Sequence, residues 1–466
     1  MNRLPLLAAL LIACPPDSGP PDEANLGGAD GIAITEVAAY QGVKRTLSVD
    51  GEAVDSDVPL IEGRDALIRV FYSDDDYGGS EVIGRLHIGD ETIEVTGVLD
   101  GPSEDDDLGS TVNFDVPGDL VRHPLEWSVE LLAEDEDNSA AVQAPLTTDI
   151  EGERNVLRVI IAPFSYEFDG SGRLPDLSDG QIQRFRDTLF ALYPVSDVDI
   201  QVRDPQPWAN RISPDGSDWF GLGFALLGYR DADGADDATY YYGMFNPAET
   251  LPAYCGIQGC LLGVTLLNND PPSTGSVTLR LALGVGFTEG APLVAAHELG
   301  HSHGRNHAPC APGNQIDGVD PGFPTNDGTI GVWGYDLTSG ELKDPDDATD
   351  LMGYCDDQHV SAYTYTALHN RGQNVNADAL GPARTYDVLH VTESGVEFAT
   401  TTQRSLPVSG EGVDVTLLSA GAPTTVRGSY LAWDHLPGGV LVVPRPELVP
   451  DRAEFTLDGT FRVATR

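Results

Sequence analysis

His297-Glu298-Leu299-Gly300-His301-Ser302-His303-Gly304-Arg305-Asn306-His307 is the run on which the reading of this chain turns. Pro292 stands where a helix can begin, and Leu293-Val294-Ala295-Ala296 suit a buried helix leading into the run. Two histidines four residues apart fall on one helix face, so both imidazoles can reach a single ion. Glycine at 304 allows the helix to end in a left-handed conformation that other residues resist. The chain can then turn and return His307 to the same ion. Three neutral nitrogen ligands leave the fourth tetrahedral position for water. Glu298 need not ligate, and can face that water instead.

The eleven-residue pattern resembles, position for position, the HExxHxxGxxH signature of the metzincin zinc metallopeptidases. Asp350-Leu351-Met352-Gly353-Tyr354-Cys355 resembles the Met-turn of that family, and the chain has only three methionines, one of them the initiator. The resemblance spans residues 154–375 and is specific at these two motifs. It implies one catalytic Zn2+ held by His297, His301 and His307, with Met352 as an apolar floor beneath it. It also implies peptide-bond hydrolysis by a zinc-activated water, with Glu298 as general base. Tyr354 matches a tyrosine that, in some branches, coordinates zinc or stabilises the oxyanion; packing in a tight turn is the alternative. The stretch from Gly331-Val332-Trp333-Gly334-Tyr335 onward is similar to secreted bacterial members, including some that act on mucin-type glycoproteins. The expected activity is therefore an exported zinc endopeptidase acting on proteins or glycoproteins, working as a monomer. A surface-anchored adhesin with an inactive metzincin fold is the second reading, and the intact Glu298 argues against it.

Around these motifs, Val156-Leu-Arg-Val-Ile-Ile-Ala reads as a buried strand. A helix follows, capped by Ser178, with Ile182, Phe185, Leu189 and Leu192 at helical spacing. Another helix is expected from Ser213-Pro214. Val277–Leu283 reads either as the sheet edge on which an extended substrate pairs or as an interior strand. His303 is expected to point off the metal face, exposed or behind the ligands. His359 and His369 are expected in packing or surface roles.

The expected fold class is multidomain. An α/β (α+β) metzincin-like catalytic domain with a mixed, mostly parallel sheet, residues 154–378, is flanked by β domains. One is an N-terminal β-sandwich at 31–150, marked by short strand runs separated by acidic, glycine-bearing turns. The other is a small C-terminal β domain at 380–466. Residues 1–14 read as a lipoprotein-type signal peptide and 15–30 as a proline-rich acidic tether. Leu11-Ile12-Ala13-Cys14 resembles a bacterial lipobox, in which Cys14 carries the lipid. That makes the lipid anchor the one expected membrane contact, with the protein facing the periplasm or cell surface; an ordinary cleaved signal peptide, leaving the protein secreted, is the alternative.

With 26 basic and 74 acidic residues the chain carries a net charge of −48, which makes nucleic acid an unfavourable partner. The simplest reading of this charge is a self-repelling, well-solvated surface. Asp231-Ala-Asp233-Gly-Ala-Asp236-Asp237 resembles part of a Ca2+ site without a full ligand pattern. Apart from Cys14 there are four cysteines, an even number that suits two disulfides in an exported chain, with three connectivities open. Cys255–Cys260 is favoured by closeness in sequence. Cys310–Cys355 would tie the segment after His307 to the segment after Met352.

Overall fold

The computed structural model describes the chain apart from residues 1–31, 75–79, 134–138, 151–153, 258, 268–278, 312–315, 377–382 and 406–407. Cys14, the signal and tether segments, and Val277 therefore lie outside the described residues. Over the described residues the protein is multidomain and mostly β, with five α-helices among many strands. The chain as a whole is thus β-rich rather than α/β in class, and the mixed, mostly parallel pairing expected of residues 154–378 is confined to one central sheet. Among the described residues, apart from one two-residue pairing, parallel strands occur only in the central sheet, while the flanking regions are built from antiparallel sheets. Their turns, rich in Asp and Gly, favour strands that return directly on their neighbours.

The N-terminal region stacks two antiparallel sheets. One includes Ile32–Tyr40, Ala66–Asp74 and Val112–Val116; the other includes Ser80–Ile88 and Leu125–Ala133. Alternate residues such as Val70, Leu86, Phe114 and Val129 fill the space between them. Arg64 fastens this region to the next. Fully buried, its guanidinium donates to the carbonyls of Gln41 (2.9 Å), Val195 (2.8 Å) and Phe190 (2.5 Å).

In the central sheet, Asp197–Val202, Val156–Tyr166, Thr239–Phe245 and Leu281–Val285 run parallel in that order, and Gly263–Thr265 closes one side antiparallel. The Leu281–Val285 strand is thus interior, with neighbours on both sides. Of the two placements open for Val277–Leu283, its described part takes the interior one. All five residues of Leu281–Val285 are buried, as suits a strand covered on both faces.

The helix Asp179–Leu192 starts where Ser178 Oγ accepts from Gln181 N at 3.3 Å, and buries Phe185, Leu189 and Leu192. The next helix begins at Phe220, later than Ser213-Pro214 suggests. Ser213 is taken up in a turn: its hydroxyl bonds Asp218, and its carbonyl accepts from the Trp219 indole at 3.1 Å.

Seven antiparallel strands make the C-terminal sheet. Val388, Leu431, Val440 and Val442 on one face join the core built around Trp219, Leu222 and Leu226. The C-terminal sheet is therefore packed into the central region, and the connection between Ala422–Ala432 and Gly439–Pro444 reaches the histidine run.

Both favoured disulfides, Cys255–Cys260 and Cys310–Cys355, are formed. Such bonds suit an extracellular or periplasmic setting. Among the described residues no helix is long and apolar enough to cross a membrane.

Candidate metal centre

The helix Ala291–Ser302 carries His297, Glu298 and His301, all buried. Its start has proline in the first turn. Its end is fixed by Gly304 at φ 88°, with Arg305 N bonded back to Gly300 O at 3.0 Å. From there the chain brings His307 round, held by backbone bonds to Gly318 O and from Asp320 N.

The three Nε2 atoms converge. Those of His297 and His307 each lie 3.1 Å from that of His301. Each ring's far nitrogen is tied to a backbone carbonyl. His297 Nδ1 donates to Leu351 O (2.8 Å), His301 Nδ1 to Arg305 O (2.6 Å) and His307 Nδ1 to Asp317 O (2.6 Å). A carbonyl can only accept, so the proton sits on Nδ1 and each Nε2 points a lone pair at the other two. Three acceptors facing one another at this distance repel unless a cation lies between them. Tetrahedral Zn–N bonds of about 2.0–2.1 Å would set neighbouring nitrogens about 3.3 Å apart, so the spacing fits. Without a cation, burial chiefly lowers the His297 ring to about 3, and lowers His301 and His307 as well. Burial therefore favours the neutral imidazoles that a metal ion requires.

Met352 lies fully buried under the helix. A Cβ built on Gly300 would meet its Sδ at 2.4 Å, so glycine there lets the turn approach. The turn is held by the buried Asp350 carboxylate, which accepts from Met352 N (2.8 Å) and Ser361 N (3.0 Å). The disulfide at Cys310 lies alongside, and Tyr354 N donates to Cys310 O at 2.6 Å. This places the Tyr354 hydroxyl 2.7 Å from His307 Nε2.

No protein-family model matches the chain, and no curated protein matches it. Among solved structures, it is similar to a calcium-binding mutant of β-glucuronidase 2 from Bacteroides uniformis. The identity is 12% over 48% of this chain and 24% of that one, with a TM-score of 0.14. It is also similar to a protein assigned as a β-galactosidase from Bacteroides fragilis, at 11% identity over 47% of this chain and 28% of that one, with a TM-score of 0.13. The chain spans under a third of the length of either structure. Likenesses this weak carry no argument about fold or activity.

Two residues absent from the sequence reading complete the site. Asp434 and His435 come from the connection in the C-terminal sheet. His435 offers a ring nitrogen within 4.8 Å of those of His297, His301 and His307. The Asp434 side chain is fully buried, with Oδ2 3.7 Å from His301 Nε2 and Oδ1 accepting from Thr265 N at 3.0 Å. Burial, with Asp434 beside it, pushes the Glu298 carboxyl well above the usual carboxylate range. An Asp-His pair 128 residues beyond His307 in a loop has no spacing that would single it out.

A cleft of about 540 Å³ opens beside Glu298 and His297, lined in part by Leu261, Leu293, Tyr354 and Gln358. His303 is buried rather than exposed, with its ring stacked on Tyr240 at 4.5 Å and its Nδ1 donating to Leu299 O. His359 and His369 are buried too, and His359 Nε2 donates to Gly42 O at 2.7 Å. The acidic loop is occupied otherwise than by Ca2+. Asp231 accepts from Gln403 N and pairs with Arg404, Asp233 pairs with Arg203, and Asp237 accepts from Ser405 N. Among the described residues, neither metal-capable group includes that loop.

Proposed function

We propose that this protein is an exported zinc-dependent endopeptidase with a metzincin-like catalytic region, acting on proteins or glycoproteins. The observation that carries the reading is the convergence of three unprotonated Nε2 atoms, each fixed through Nδ1 by a backbone carbonyl, beside the buried Glu298. Carbonyl-oriented imidazoles of this kind are how proteins preset metal ligands. His297, His301 and His307 would hold the ion. Zinc bound there would supply Lewis acidity, lowering the pKa of a water towards about 7 and polarising the scissile carbonyl.

With a dication beside it to favour its ionised form, the Glu298 carboxylate would take a proton from water and pass it to the leaving amine. The Glu298 carboxyl lies against that of Asp434 at the edge of the cleft. Tyr354 is positioned to donate its hydroxyl proton to the developing oxyanion. The apolar wall formed by Leu261 and Leu293 favours an uncharged side chain next to the scissile bond. Met352 holds the ligand helix from below.

The test is hydrolysis of casein and of a mucin by the zinc-loaded full chain and by Glu298→Gln. Cleavage by the parent alone is expected. Zinc-loaded parent that cleaves neither substrate, nor any member of a broad peptide library, overturns the reading in favour of a binding protein.

The lipobox-like Leu11-Ile12-Ala13-Cys14 supports attachment of this activity to a membrane surface through lipid on Cys14. Cys14→Ser should move the protein from the membrane to the soluble fraction; unchanged sedimentation with membranes would refute the anchor.

A further inference from the structure

The C-terminal sheet reaches across the chain to the histidine cluster, and does so through a segment that is pinned on both sides. Trp433 is buried against Phe220, with ring centroids 5.7 Å apart, and would touch a Cβ on Gly223 at 3.1 Å. Leu436 is buried in the same core. Between them, Asp434 and His435 have little freedom to face elsewhere.

The same segment lies along the outer edge of the central sheet. Leu266 and Trp433 form an antiparallel bridge, Leu267 N donates to Ala432 O at 2.8 Å, and Asp434 N donates to Thr265 O at 3.2 Å. That edge, beside the Gly263–Thr265 strand, is the one on which an extended peptide could pair near Glu298. From Thr265 to Leu267 its bonding positions are already taken.

We infer that His435 is a fourth protein ligand of the metal centre, so that the C-terminal sheet closes the coordination sphere. The inference rests on the metal-site reading above. Its geometry is the placement of the His435 ring stacked on His307 (5.1 Å, 25°), with a nitrogen within 4.8 Å of the other three ligand atoms. An ion held by the other three would draw the His435 nitrogen in from this distance to the spacing of about 3.3 Å that tetrahedral coordination sets. Asp434 Oδ2, 3.3 Å from His435 Nε2 and 3.7 Å from His301 Nε2, stands on the cluster side of the ring beside Glu298 and limits where the imidazole can turn. Four nitrogen ligands fill a tetrahedral sphere and leave no exchangeable position. Hydrolysis then proceeds from the fraction of molecules in which His435 has left the ion. The Tyr354 hydroxyl, 3.0 Å from His435 Nε2, gives that ring another partner.

The experiment uses the full chain loaded with Co2+, titrated with azide and read by its visible absorption, alongside zinc X-ray absorption of the same protein. The parent is expected to show four imidazole nitrogens and a spectrum that azide does not change. His435→Ala should show three, with an azide-dependent spectrum and an apparent azide affinity at least tenfold tighter. Measurements on the parent need no variant, so a misfolded His435→Ala leaves the test intact.

A parent spectrum that responds to azide as His435→Ala does would overturn the inference. So would azide access gained in Asp434→Asn but not in His435→Ala, which would make the carboxylate the closing group. Failure of the parent to bind one equivalent of cobalt would instead remove the metal-site reading beneath it.

Discussion

Gly263 and Glu298 occupy adjoining space so closely that a Cβ added to Gly263 would stand 2.4 Å from Glu298 Oε1 and 2.6 Å from its Cγ. The edge strand and the proposed base are thus fitted to each other, and the strand fixes where the carboxylate can stand.

Gly263→Ala should therefore displace the carboxylate without touching the ligands. Overpacking of this kind costs about 1–3 kcal/mol of stability. Misplacing a general base should lower kcat by about 10²-fold or more. Zinc content should stay at the parent value. Parent-like hydrolysis by Gly263→Ala would show that Glu298 is not held where the reaction needs it.

The Tyr354 hydroxyl lies 2.7 Å from His307 Nε2, yet the residue is 39% exposed, so it borders the ligand cluster and also faces solvent. Tyr354→Phe should retain zinc and fold normally. Loss of one oxyanion donor lowers kcat by about 10²-fold with little change in KM. Unchanged kcat would return Tyr354 to a packing role.

His359 is wholly buried, and burial lowers its ring below the ordinary imidazole value, because the charged form would lose its solvation. Asp336, Lys343 and Asp357 act on it more weakly. An imidazole lowered on folding stabilises the folded chain at pH above its unfolded value of about 6.5, and that contribution is lost as pH falls. His359→Gln keeps a donor for Gly42 O and removes the titration. Its melting temperature, followed from pH 7 to pH 4, should fall less steeply than the parent's. Parallel curves would mean that other buried groups carry the acid sensitivity.

Much of the candidate centre is legible in local sequence because helical geometry is local. His297 and His301 share a face at any i, i+4 spacing. Gly304 marks the helix end, and the Asp350 to Cys355 turn is closed locally where Met352 N and Gly353 N bond back to Asp350. Cysteine pairing followed from sequence proximity and from the positions of the two motifs.

The parts that were not legible depend on contacts between distant segments. Asp434 and His435 reach the site only because the C-terminal sheet packs Leu431, Val440 and Val442 into the central core. His303 looked free because its position on the helix was visible, whereas the Tyr240 ring that covers it comes from another strand. The acidic loop looked like a cation site because its arginine partners, Arg203 and Arg404, lie far from it in sequence. Helix onset at Phe220 rather than Ser213 depended on side-chain bonds inside a turn.

The central claim is that His297, His301 and His307 hold one zinc ion, and the most direct measurement is zinc bound per chain in the full-length protein and in His301→Ala. The account predicts one zinc per chain in the parent and in Glu298→Gln, and a loss of tight binding in a folded His301→Ala. Parent protein that binds no zinc, or His301→Ala that binds it as tightly as the parent, would contradict it.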